Sequence, residues 1–528
     1  METIAALELK QLLLGDGEFA LIDVREQGAF SQAHLLFAVC VPLSRLELLI
    51  SDLVPRRSTR IVVVSGAHDG LSARACHRFA ELGFDDVSSL EGGVEGWEAA
   101  GFELFSGVNV PSKAFGEFVE HRCETPRLSA LEVKAMLDSG RDMVIVDSRP
   151  FEEYHRMNIP GALDMPGAEL ALRIHDVAPD PGTFVVVNCA GRTRSIIGAQ
   201  SLINAGIPNP VAALKDGTMG WHLAGLSLEH GATREAPPPG TEGLAKAQRA
   251  ALRVAERFGV RSVGLEQLDT WLADLQRTTY LLDVRSPADY AAGHLPAFRH
   301  APGGQLVQAT DEYVAVKNAR LVLADDAGVR ATMTASWLIQ MGWQDVYVLA
   351  GEKGARPLTA GPSAPAVLGS IGAATVSTQQ LAGLLEGASN EVEVIDLGLS
   401  TAYERQHIPG ALWCVRARLK AALGELRDVE RIVLTSGDGL LARVALEEAR
   451  RLTSADVQAL EGGTDRWLAE GRMAASGLER TVGPLDDVWY KPYEHRGAQE
   501  QFMRDYLTWE VALVEQIERD GTTRFRAF

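Results

Sequence analysis

The chain is short of cysteine, of long apolar runs and of positive charge, and each shortage removes a class of function. Five cysteines in 528 residues, odd in number and without a Cys-x-x-Cys pair, offer neither a disulfide framework nor zinc-site spacing and suit a reducing compartment. No stretch of roughly 18 apolar residues occurs, so no membrane-spanning helix is expected. The formal net charge of −19 argues against unspecific binding to nucleic acid or to acidic membranes. Met1-Glu2-Thr3-Ile4 has no basic region followed by an apolar one, so no secretory leader is expected and a cytoplasmic location is. No run of like charge suggests a disordered tail.

What is present is a repeat. A chain of 528 residues is too long for one core and suggests roughly three to five domains. Four times an apolar strand ends in Asp: Leu21-Ile22-Asp23-Val24-Arg25, Ile145-Val146-Asp147-Ser148-Arg149, Leu281-Leu282-Asp283-Val284-Arg285 and Val394-Ile395-Asp396-Leu397-Gly398. A second strand and turn follow, seen in Ala33-His34-Leu35, Asn158-Ile159-Pro160-Gly161-Ala162, Gly293-His294-Leu295-Pro296 and His407-Ile408-Pro409-Gly410-Ala411. A third strand leads into a loop and a helix, and a fourth strand follows. Copies one, two and four then close with a Gly-rich turn and Trp97, Trp221 or Trp467, whereas copy three stops at Leu349-Ala350-Gly351 without the Trp. Strands alternating with helices at this period predict parallel α/β sheets flanked by helices, with working loops at the carboxyl ends of the strands.

Linkers support the division: a weak one around 107–125, the break Ala236-Pro237-Pro238-Pro239-Gly240, and the Gly/Pro/Ala-rich stretch 355–369. The expected bounds are 1–107, 122–235, 258–357 and 373–479, with a tail from 480 to 528. A helix is predicted in that tail from Ala498 to Arg519, with Phe502, Tyr506, Trp509, Leu513 and Ile517 at helical spacing. It reads as a docking helix, across the domains or against another subunit, rather than as part of a site.

The chemistry concentrates in copy two. Val185 to Asn188 is a buried strand, Cys189 to Arg194 a tight loop, and Ser195 opens a helical pattern. A cysteine here is ringed by backbone N–H groups at the positive end of a helix, which favours a thiolate. Arg192 and Arg194 add charge for an anion. At the equivalent place copy one has Gly66, copy three Asp325 and copy four Ser436, each at nearly the same distance from its opening Asp. Glycine has no side chain to offer. Asp325 has no thiol and repels an anionic substrate. Ser436 would need a general base, and Ser436-Gly437-Asp438-Gly439-Leu440-Leu441 contains neither His nor Arg. One active and three inert copies are expected.

Cys40 and Cys414 read as core residues, Cys76 falls on the helix after the copy-one loop, and Cys123 in the first linker. His34, His294 and His407 precede the recurring turn and read as structural; no metal site and no cofactor are expected.

Asp-x-Arg, an Ile-Pro-Gly-Ala turn, strand–Cys–loop–helix and a Gly-rich turn with Trp together resemble the rhodanese family of sulfurtransferases. The resemblance covers nearly the whole chain as four tandem domains, copy two matching best. It departs in copy one (no Pro-Gly in the turn), copy three (no closing Trp) and copy four (no Arg after the Asp). It implies that Cys189 attacks the outer sulfur of a thiosulfate-like donor, that sulfite leaves, and that a thiol or cyanide takes the sulfur from the Cys189 persulfide. It further implies that the loop residues Ala190, Gly191, Thr193 and Ser195 cradle the persulfide, with Arg192 and Arg194 on the sulfonate oxygens. Asp147 and Arg149 are assigned to holding the fold. A related phosphatase class places five residues between Cys and Arg to wrap a phosphate; here only Ala190, Gly191, Arg192 and Thr193 intervene before Arg194. Mercaptopyruvate is the nearer rival donor, but those enzymes carry small neutral residues after the Cys. A persulfide relay for a protein acceptor, or a homo-oligomer, also fits the residues.

Overall fold

The computed structural model describes residues 2–350, 356–387, 392–426, 429–495 and 497–528. The closing turn of copy three, from Gly351, lies outside them. The repeat is real: four parallel sheets form, and in each the five strands of a copy are ordered first, fifth, fourth, second, third. The second strands are Phe19–Asp23, Met143–Asp147, Thr279–Asp283 and Val392–Asp396, each ending on the aspartate that marks the sequence pattern. The fourth strands, Ile61–Val64, Phe184–Asn188, Arg320–Ala324 and Arg431–Thr435, sit mid-sheet and carry the loops in question at their carboxyl ends.

Copy two shows why such apolar runs make central strands. Val185 and Val187 face a core of Leu170, Ile174, Ala199 and Leu202. The intervening Val186 faces Val133, Tyr154, Leu214 and Trp221 on the other side. Successive side chains point to opposite faces, so a sheet covered on both needs apolar residues at every position.

The chain forms two compact units. One contains Met1–Leu7, Ala20–Val108 and Pro365–Trp489, and so most of copy one, copy four and the first residues of the tail; the other contains Glu8–Phe19, Asn109–Ala364 and Tyr490–Phe528, and so copies two and three with the tail from Tyr490. Two predicted linkers are more ordered than their sequences suggest. Within 107–125 lies a 14-residue helix, Val110–Cys123. Its apolar pattern is broken by Lys113 and Glu117, yet both are buried, because the helix is covered on several sides. After Gly240 comes an 18-residue helix, Thr241–Phe258, whose stripe of Ala247, Ala250, Ala251, Val254 and Phe258 packs against copies two and three. The tail helix runs Gln499–Asp520, close to the predicted span. No helix among the described residues is long and apolar enough to cross a membrane.

Candidate active site

The loop of copy two is held from below and behind. Asn188, the last residue of its strand, donates from Nδ2 to Asp147 Oδ2 at 2.8 Å, and its carbonyl accepts from Ser148 N at 2.9 Å and Ser148 Oγ at 2.8 Å. Arg149, fully buried, grips Asp147 through Nε at 2.8 Å and Nη2 at 2.7 Å and also donates to Met157 O at 2.6 Å. Asp147 and Arg149 thus tie the strand that opens the repeat to the turn that follows it. From behind, Thr218 N donates to Cys189 O at 2.8 Å and Met219 N to Ala190 O at 3.1 Å. Gly217, with φ of 55°, allows this approach: a Cβ there would overlap Cys189 O and lie 2.8 Å from Gly191 O. Gly93 and Gly463 meet the carbonyls of Ser65 and Ser436 in the same way. The recurring Gly-rich turn is therefore the back wall of the loops of copies one, two and four.

Cys189 is 2% exposed. Burial pushes its thiol above the ordinary value, while the charge of Arg194 and hydrogen bonds with the Ser195 hydroxyl and N–H pull the other way. The loop residues by themselves pull only toward thiolate; burial under the elements that cover the loop opposes them.

The four loops differ most in what occupies their backbone amides. In copy three Asp325 accepts from Gly328 N at 2.7 Å and Arg330 N at 2.9 Å. In copy one Asp69 takes Gly66 N and Leu71 N, both at 2.8 Å, and Glu95 takes Ala67 N at 2.9 Å. In copy four Asp438 takes Leu440 N at 2.9 Å and Ser436 Oγ takes Ala442 N at 3.3 Å. These three loops fill their amide ends with side-chain oxygens of their own. Around Cys189 no side-chain oxygen among the described residues takes the amides of Ala190 to Arg194, which remain a cradle for a negative charge.

The two arginines part company. Arg192 donates through Nε and Nη2 to Glu117 at 2.7 Å each, through Nη2 to Glu120 at 2.6 Å and through Nη1 to Asp216 at 3.0 Å. It bolts the loop to the Val110–Cys123 helix, whose Gly116 lies against Thr193. Arg194 donates to both oxygens of Glu153, at 3.2 and 2.8 Å, and to Gln305 of copy three at 3.3 Å, and its charge bears directly on Cys189. Burial alone would raise the Glu153 carboxyl; Arg194 and Lys491 hold it well below the usual carboxylate range. Ser195 turns its hydroxyl to Arg192 O at 2.8 Å.

The tail completes the surroundings, a role the sequence reading set aside. Lys491 reaches Glu153 at 3.4 Å. Tyr506 donates to Glu510 Oε1 at 3.0 Å, and Thr193 donates to the same oxygen at 3.4 Å. Glu510 Oε2 lies 3.2 Å from where a Cβ on Gly191 would stand. Burial pushes the Glu510 carboxyl up to about 7, against the pull of Lys113. Glu153, Gln305, Lys113, Tyr506 and Glu510 were all missed. One signal for Glu510 was available: it falls between Met503, Tyr506, Leu513 and Ile517 on the buried stripe of its helix, where a carboxylate is out of place.

The remaining candidates have surroundings of their own. Cys414 and Cys76 are buried, Cys40 is half-buried and Cys123 is exposed at the end of its helix. His294 and His407 stack on Tyr290 and Tyr403 and bond the carbonyls of the same tyrosines through Nδ1; His34 stacks on Phe30 and bonds Leu35 O. These are structural arrangements.

A family model described as the rhodanese-like domain matches residues 5–100, 129–224, 265–352 and 377–470. The chain belongs to the rhodanese family. It carries four such domains in tandem. A solved structure of a thiosulfate sulfurtransferase from Pseudomonas aeruginosa superimposes on this chain with a TM-score of 0.96, at 50% identity over 100% of both chains. Among curated proteins, the HTH-type transcriptional regulator Rv0324 of Mycobacterium tuberculosis is 36% identical over 91 residues, 17% of this chain and 39% of the regulator. The putative sulfur carrier protein YrkF of Bacillus subtilis is 24% identical over 136 residues, 24% of this chain and 72% of that protein. The chain thus spans less than two thirds of the regulator's length.

Proposed function

We propose that the chain is a sulfurtransferase that takes sulfane sulfur from thiosulfate, or a donor like it, onto Cys189 and passes it to a thiol or to cyanide. The observation that carries the reading is the contrast among four equivalent loops. Only that of copy two offers a thiol together with backbone amides free of a resident side-chain oxygen. Cys189 attacks the outer sulfur of the donor as a thiolate, the sulfur–sulfur bond of the donor breaks, and sulfite leaves with the electron pair. The open amides hold the negative charge of the persulfide. Arg194 is assigned to the oxyanion of donor and leaving group, and Arg192, with its nitrogens taken by three carboxylates, to holding the loop. Copies one, three and four, with the bounds given above, act as inert partners of copy two. The sulfurtransferase that superimposes over the full length supports a thiosulfate donor.

The second reading, a relay that hands sulfur to a protein acceptor, needs Cys189 on an open face. At 2% exposure the cysteine favours small substrates instead. The test is thiosulfate-to-cyanide turnover by the wild type and by Cys189→Ala, with mercaptopyruvate as a parallel donor. A silent wild type would sink the thiosulfate reading, and activity kept by the variant would move the site elsewhere. Faster turnover with mercaptopyruvate than with thiosulfate would replace the donor.

A further inference from the structure

Sulfur uptake at Cys189 gives no task to one buried carboxyl of the site, Glu510, although Lys113 nearby brings it an opposite charge. Glu510 is 2% exposed and fixed by its neighbours: Oε1 accepts from Tyr506 at 3.0 Å and from Thr193 at 3.4 Å. Oε2 has no hydrogen-bond partner among the described residues and lies against Gly191, two residues after Cys189. A carboxylate buried with one bare oxygen is costly to folding unless that oxygen has work to do. The loop does not need it as a counter-charge. Arg192 is already met by Glu117, Glu120 and Asp216, and Arg194 by Glu153. Nor does it help a dianionic donor, which it repels.

The half-reaction that does need such a group is the second. A thiol acceptor arrives protonated near neutral pH and must lose its proton before it can attack. We propose that Glu510, carried by the C-terminal helix, is the general base for a small thiol acceptor at the Cys189 persulfide. The inference rests on the persulfide reading of Cys189. The thiol gives its proton to Glu510 Oε2. Its sulfur bonds to the outer sulfur of the persulfide, the bond between that sulfur and Cys189 Sγ breaks, and the electron pair leaves on Sγ. The acceptor departs as a persulfide and the proton returns to Sγ or to solvent, so no external oxidant or reductant is required.

The charged and titratable groups that face Glu510 are Lys113 and Glu117 from the Val110–Cys123 helix, Arg192 and Cys189 from the loop, and Tyr506 from its own helix. Burial sets the carboxyl near neutrality, where a base is most useful.

The test separates the half-reactions in the full-length protein. Wild type and Glu510→Gln are loaded with thiosulfate, freed of excess donor, and discharged in single turnover by dithiothreitol or, in parallel, by sulfite at alkaline pH, where sulfite has no proton to lose. General-base catalysis is worth about 10²–10⁴-fold, so the thiol-to-sulfite rate ratio is expected to fall at least tenfold in the variant. The rise of thiol discharge through pH about 7 is expected to vanish with it. A loaded variant whose ratio falls less than tenfold overturns this inference alone. A wild type that takes up no sulfur overturns the persulfide reading, and the inference with it. Should Glu510→Gln not fold, Tyr506→Phe serves: it removes a hydrogen bond that lowers the Glu510 carboxyl, so the rise in thiol discharge moves to higher pH, and an unmoved rise overturns the inference.

Discussion

Replacing Arg192 by Met distinguishes a strut from a substrate ligand. Arg192 is 5% exposed and Glu117, its bidentate partner, is fully buried. Removing the guanidinium strands the Glu117 carboxylate in the interior, which costs about 3–5 kcal/mol. Glu120 and Asp216 are more exposed and return to water at little cost. At about 2–4 °C per kcal/mol for a unit of this general size, the melting midpoint of the unit that holds copies two and three should fall by about 6–20 °C. The double variant Arg192→Met/Glu117→Leu should regain most of that loss, since well-packed apolar residues commonly replace a buried ion pair without net cost. Thermal unfolding followed by near-UV circular dichroism reads the stability, and steady-state kinetics reads KM for thiosulfate. In the rescued double variant KM should stay within about threefold of wild type, as for loss of a group that does not touch the donor. A single variant that melts normally yet raises KM tenfold, with no rescue in the double, would return Arg192 to the substrate and refute the strut.

Further outcomes follow from the same geometry. Arg194→Ala should raise KM for thiosulfate about tenfold or more through loss of a charge-assisted contact, and Glu153→Gln should lower it by removing a competing carboxylate; an unchanged KM in both would show that the pair does not face the donor. Gly217→Ala should cost about 2–4 kcal/mol in denaturant unfolding, since its Cβ must displace the Cys189 carbonyl at a positive φ; full stability with full activity would mean the back wall is soft. The folded chain holds the Cys189 proton more tightly than the unfolded chain does. Stability from this group is therefore complete below the unfolded thiol value of about 8.5 and is lost as pH rises through the higher folded value. Cys189→Ala should flatten the fall in unfolding free energy between mildly and strongly alkaline pH, and an unaltered slope would deny the shift.

The sheets, and the place of Cys189 between a strand end and a helix start, were legible because both follow from local patterns. A strand buried on both faces must be apolar throughout, as Val185 to Val187 are. A cysteine at the end of such a strand and the start of a helix has few other uses. The Asp-x-Arg pair was legible as well, since Arg149 grips an aspartate only two residues away. What stayed hidden depends on partners far along the chain. Glu117 stands 75 residues from Arg192, so two arginines of like appearance could not be told apart. Glu510 stands 317 residues from Thr193, and its helix read as an apolar stripe centred on Trp509 rather than on the buried carboxylate beside it. The Val110–Cys123 helix was taken for linker because its buried Lys113 and Glu117 break the expected period. The Gly-rich turn was recognised, but not its contact with the loop carbonyl, which needs two strands side by side.

The central claim is that sulfur is carried on Cys189 and on no other cysteine. The direct measurement is peptide mass spectrometry of the full chain after incubation with thiosulfate and removal of excess donor, without reductant. The account predicts a mass gain of one sulfur atom on the peptide containing Cys189, none on those of Cys40, Cys76, Cys123 or Cys414, and loss of the added sulfur on treatment with cyanide. Sulfur on another cysteine, or none on Cys189, would contradict it.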